Sequence, residues 1–122
     1  MNNRKAFQEI LLESDQFFKK NIRIRARIYF YAVSNAPFAW LPFPETLEIA
    51  SELRDGMKEQ KKGFQALVLE FSARAAYLSG NLKDAAAFQS QACALRKGSD
   101  LEVPAEVLLD YYRNLENLQQ KL

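Results

Sequence analysis

The densest run of chemically capable side chains is Lys19, Lys20, Arg23, Arg25 and Arg27, interleaved with Ile22, Ile24 and Ala26 and followed by Tyr29, Phe30 and Tyr31. Ammonium and guanidinium groups at this density can hold phosphates or carboxylates, and the neighbouring rings can stack on what they hold. The same bases can instead form a solvated helix face, or pair with the chain's own acids. The formal net charge of only +2 favours that second use. Nucleic acid is therefore not the favoured partner, and binding of nucleic acid or an acidic partner through residues 19–27 stands as the alternative function.

Catalytic chemistry is restricted by what the chain lacks. There is no histidine, which removes the side chain that titrates near neutrality, and with it His-dependent triads and His metal sites. The one cysteine, Cys93, can form neither a Cys-rich zinc site nor an internal disulfide. It is expected to be structural, because no histidine or second thiol stands by to activate or resolve it. Gly56, Gly63, Gly80 and Gly98 are too far apart to form a phosphate-cradling loop. Glu48, Glu52 and Asp55 share one helical stretch, but carboxylate metal sites draw acids from several helices. The reading is a non-enzyme with no catalytic residue, no metal and no cofactor.

These residues must be positioned by a packed core, which a composition of 48% hydrophobic and 26% charged residues supports. Residues 1–122 fit one domain. No run reaches the ~18 apolar residues of a membrane-spanning helix. The opening MNNRKAFQEILLESD places acids inside its apolar pattern and lacks a cleavage site, so it does not read as a secretory signal. A soluble, cytoplasmic protein without a membrane partner is expected.

The expected fold class is all-α, with about five or six helices for this length. Phe7, Ile10, Leu11 and Ser14 fall on one face of a first helix, which Phe17 and Phe18 continue. Within Ile22 to Val33, Ile22, Ile24, Ala26, Ile28, Phe30 and Ala32 alternate strictly with Arg23, Arg25, Arg27, Tyr29 and Tyr31, as in a strand. No partner strand is evident, and an unpaired strand leaves its backbone groups unsatisfied, so a helix is preferred. The strand version would need a second chain to pair with. Asn35 to Pro44 carries three prolines and forms the one long loop. Its Phe38, Trp40 and Phe43 serve either as a lid on the core or as an apolar contact for a partner centred on Trp40. Pro44 suits the first turn of the next helix, with Leu47, Ala50, Leu53 and Met57 on one face. Pro104 opens a last helix whose Leu108, Tyr111, Leu115, Leu118 and Leu122 keep a three-four spacing suited to docking.

Between them, Phe64 to Gly98 reads as two helices folded back on each other. Phe64, Leu67, Val68, Phe71, Ala75 and Leu78 form one face, and Leu69, Ala73 and Ala76 widen it, which predicts burial on more than one side. Gly80 stops the first helix, and Asn81 caps the second with Asp84 in its first turn. Leu69, Ala73, Ala76, Ala85 and Ala92 are expected at the interface between the two.

The order of Leu69, Ala73, Ala76-Tyr77, Gly80-Asn81, Ala85, Phe88 and Ala92 resembles a tetratricopeptide repeat, a unit of about 34 residues. The resemblance covers residues 64–98 in a single copy. Gln89 occupies the place where the family usually has its second ring, and Lys97 that of its closing proline. The resemblance implies antiparallel hairpins, in a right-handed superhelix or a small bundle, with residues 104–122 as the capping helix. It also implies a non-catalytic interaction or adaptor module with a concave surface built from the first helix of each pair. The implied groove residues are Leu67, Glu70, Arg74, Tyr77 and Leu78, to which the loop reading adds Trp40. The expected partner is a protein or peptide, with a homodimer among the forms association can take.

Overall fold

The computed structural model describes residues 3–35 and 43–121, and these hold six helices and no strand. They are α1 (Asn3–Phe17), α2 (Ile22–Asn35), α3 (Phe43–Gly56), α4 (Lys62–Leu78), α5 (Leu82–Arg96) and α6 (Glu102–Lys121). The all-α expectation holds, and the alternating segment Ile22–Val33 lies inside α2. Its cap explains part of the choice: Asn21 Oδ1 accepts the Ile24 N–H at 3.2 Å, satisfying one of the free donors of the first turn. Helical spacing also brings Arg25 onto the same side as Ala26 and Tyr29, all buried. There Arg25 donates to Asp15 of α1 and, at 2.8 Å, to Glu52 of α3. A strand would have left the ladder groups of this segment without partners.

α4 is the central element. It packs against α2, α3 and α5, and α5 in turn packs against α6. Its residues divide between two cores. Val68, Phe71, Ala75 and Leu78 join Leu11, Tyr29, Val33, Ile49 and Leu53, while Ala73 and Ala76 join Ala85, Ala86, Leu109 and Tyr112. The expected interface residues Leu69, Ala73, Ala76, Ala85 and Ala92 are all buried.

The turn between α4 and α5 follows from Gly80, whose φ of 87° suits a residue without a Cβ. Asn81 N–H bonds to Ala76 C=O at 2.9 Å and Gly80 N–H to Tyr77 C=O at 3.0 Å, the paired bonds that close a helix through a left-handed glycine. Asn81 Oδ1 then accepts the Asp84 N–H at 3.1 Å and starts α5. Gly56 has a different use. A Cβ there would lie 2.7 Å from Ile22 Cδ1, so its bareness leaves room for the tip of the Ile22 side chain at the end of α3. Polar links cross the layers as well. Arg54 of α3 donates to Ser72 of α4 at 2.8 Å and lies 4.3 Å over the Phe88 ring of α5.

Three helix faces differ from the sequence reading. α3 turns inward Thr46, Ile49, Ala50 and Leu53, leaving Leu47 exposed, because Thr46 completes a better i, i+3, i+4, i+7 stripe. In α1 the buried positions are Leu11 and Asp15, while Ile10 and Phe17 are exposed; the ion pair to Arg25 fixes the helix's rotation. α6 docks through Ala105, Leu109 and Tyr112, with Leu108, Tyr111 and Leu118 exposed. A small residue at 105 admits α5 closely, and this turns the helix away from its leucine stripe. Phe38 and Trp40 lie outside the described residues, as does the side chain of Phe43.

Candidate interaction groove

The N-terminal halves of α2 and α4 lie side by side and enclose a cleft of about 370 Å³, lined by Arg23, Arg27, Lys61, Gly63, Phe64 and Leu67. Further along the same two helices, a smaller recess of about 140 Å³ is lined by Phe30 and Ser34 of α2, Glu70 and Arg74 of α4, and Leu108 and Tyr112 of α6. Leu67 lines the cleft and Glu70, one turn further along α4, lines the recess. The groove thus consists of two separate hollows strung along α2 and α4, one basic over an apolar floor and the other mixed in polarity.

The electrostatics of the basic end follow from which bases the fold consumes. Arg25 is withdrawn from the patch. It is buried in a bidentate pair with Asp15, and its pKa is raised by that hydrogen bond first, against the opposing effect of burial. Lys19 and Lys20 are exposed in the turn before α2. Arg23 donates to Gln60 at 3.1 Å and stays exposed, as do Arg27 and Lys61. The basic segment is thereby divided, and Lys61 joins two of its arginines from another helix. The cleft lies beside the first two turns of both helices, near their positive dipole ends. Lys61 is the N-cap of α4 and offers no side-chain cap, so that terminus remains electropositive.

At the other end, Glu70 does not pair with Arg74 one turn along. It accepts from Arg96 of α5 at 2.6 Å, with both side chains largely buried. Arg74 instead lies 5.3 Å from the Tyr77 ring, and its Nε is buried without a hydrogen-bond partner. Tyr77 meets Tyr111 edge to face at 5.8 Å with the hydroxyls 3.1 Å apart, and Tyr112 at 5.4 Å. The hydrogen bond to Tyr111 raises the Tyr77 pKa, and burial raises that of Tyr112 against the influence of Arg74. Tyr77 and Tyr112 therefore stay protonated at neutral pH.

Of the residues singled out in the sequence, Leu67 lines the cleft, Glu70 and Arg74 line the recess, and Tyr77 lines neither but meets Tyr111 of α6. Leu78 is taken up by the larger core. Ser34, Lys61 and Tyr112 line the groove without having been singled out, and Phe30, Phe64 and Leu108 had been read only as a ring beside the bases or as helix-face positions. The available signal was the start of two helices at Asn21 and Lys61, which aligns Arg23 and Arg27 with Gly63 and Leu67. Cys93 is half-buried, and burial raises its pKa, which disfavours the thiolate. Among the described residues no group of three or more acids and cysteines could hold a metal ion, and no helix is long and apolar enough to cross a membrane. Family profiles, curated proteins and solved structures give no significant match to the chain.

Proposed function

We propose that the chain is a non-catalytic interaction module that docks a protein segment in the groove formed by α2, α4 and α6. The observation that carries this reading is the basic cleft over Phe64 and Leu67, with a second recess at Arg74 further along α4. An apolar side chain of the partner would fill the cleft while a carboxylate meets Arg23, Arg27 or Lys61. Glu70 and Arg74 at the recess add polar side chains beside its apolar lining. The resemblance of residues 64–98 to a tetratricopeptide repeat supports the same use, because such hairpins present a groove from alternate helices. Affinity capture with the intact protein, compared with an Arg23→Glu/Arg27→Glu variant of matching circular dichroism, tests the reading. Partners retained by the wild type and lost by the variant are expected. An identical set on both would end it.

A further inference from the structure

Large exposed hydrophobic residues are absent from α4 and α5 but gather on α6 and the residue before it: Leu101, Val103, Val107, Leu108, Tyr111 and Leu118. Val103, Val107 and Leu118 are 66%, 61% and 59% exposed, and they face away from the Ala105, Leu109 and Tyr112 side by which α6 docks in its own chain. Alongside this stripe runs an acidic row at every fourth residue, Glu102, Glu106 and Asp110. Glu102 accepts the Gly98 N–H at 2.8 Å. Glu106 and Asp110 are exposed and make no salt bridge among the described residues.

This is the complement of the basic end of the groove. Arg23 and Arg27 are also four residues apart on a helix, so the two rows share a pitch of about 6 Å. Phe64 and Leu67 supply an apolar floor beside the bases as Val103 and Val107 supply a ridge beside the acids. We infer that the segment seated in the groove is α6 of a second copy of this chain, an inference that rests on reading the groove as a docking surface. Glu106 and Asp110 then meet Arg23 and Arg27 while the valines cover Phe64 and Leu67. Two α6 stripes placed face to face would set acid against acid, and two grooves would set base against base. The contact is therefore between unlike surfaces, and it closes into a two-fold pair where each copy seats its α6 on the other, or extends into rings or open chains where it does not.

Sedimentation velocity on the intact protein, from micromolar to about millimolar, tests this. The wild type should grow in mass with concentration, and added salt should weaken the growth. Arg23→Glu/Arg27→Glu and Glu106→Lys/Asp110→Lys alter exposed positions only and should keep the wild-type circular dichroism. Each variant alone sets like charges together and should raise the dissociation constant by about 100-fold or more. An equimolar mixture of the two should associate again, since each then offers the other a complementary surface. A wild type that stays monomeric throughout, an association indifferent to the reversals, or a mixture that fails to recover would each overturn the proposal. A monomeric wild type whose captured partner is lost on Arg23→Glu/Arg27→Glu leaves the groove as a docking surface for another acidic, apolar protein. Association and capture that both ignore the reversal remove the groove reading as well.

Discussion

α2 and α5 are capped alike and bury the same positions counted from the cap. Asn21 and Asn81 each accept the N–H three residues on. In α2 the buried residues that follow include Arg25, Ala26, Tyr29 and Ala32; in α5 the matching positions are Ala85, Ala86, Gln89 and Ala92. The frame is shared and the filling is not. Methyl groups on α5 and small residues on α4 let these two helices make the most extensive backbone approach among the described residues. Around α2 the neighbours stand further off, and the space is filled by a tyrosine ring, an arginine and their partners on α1 and α3. Side-chain size at the contact sets the separation of helix axes. It also sets what each region can tolerate: one core depends on large groups being present, the other on their absence.

The sharpest test of that contrast is truncation. Phe71 is fully buried and its ring centre lies 5.9 Å from that of Tyr29. Phe71→Ala should cost about 3–5 kcal/mol in urea unfolding, whereas Leu109→Ala, in the alanine-rich cluster, should fall near the lower end of the roughly 2–5 kcal/mol range for its type. Equal losses would mean that the two cores are packed alike. Arg25 comes next. Arg25→Met leaves Asp15 buried and unpaired, at a cost of about 3 kcal/mol, while Glu52, half exposed, regains water. Replacing Asp15 with Asn in the same chain should recover most of the loss. If the double variant is no more stable than the single one, the pair is not what holds α1 to α2.

The converse applies to α5. Ala85 and Ala73 are fully buried in the close α4–α5 contact, so Ala85→Leu or Ala73→Leu should each cost about 1–3 kcal/mol by overpacking. An unchanged unfolding midpoint for both would show room between these helices and would erase the contrast with α2.

How far the sequence discloses this architecture depends on how local its causes are. The α4–α5 hairpin was legible because Gly80, Asn81 and the alanine spacing act within a few residues of themselves. The helical state of Ile22–Val33 could be argued only by elimination, since its stabilising partners, Asp15 and Glu52, come from other elements. The rotation of α6 was not legible. Its leucine stripe is the stronger periodic signal, yet Ala105 faces α5, because Gln89 there donates to the Ala105 carbonyl at 2.9 Å and only a small side chain lets the backbones meet. The groove was half legible: Leu67, Glu70 and Arg74 lie on one helix and share a face, but Lys61 and Arg27 meet only once α2 and α4 are laid side by side. Arg25 reads as the centre of the basic cluster, and burial of its partner acid takes it out.

The smallest expected effects compare the caps themselves. Asn81 does more than accept the Asp84 N–H, since its Nδ2 also donates to the Asp84 carboxylate at 2.8 Å, and that carboxylate sits at the positive end of α5. α2 has no acid in its first turn, and Arg23 and Arg25 place positive charge where the dipole disfavours it. Asn81→Ala should therefore cost about 1 kcal/mol or slightly more, and Asn21→Ala somewhat less, within the usual range for a lost cap. The difference should shrink in high salt, because the Asp84 contribution is exposed and screened. The unfavourable charge at the start of α2 has its counterpart in the groove: Arg23→Gln should stabilise the isolated chain by a few tenths of a kcal/mol while weakening whatever binds there. If Arg23→Gln instead destabilises the protein in urea unfolding, its bond to Gln60 outweighs the dipole, and Arg23 belongs to the scaffold more than to the docking surface.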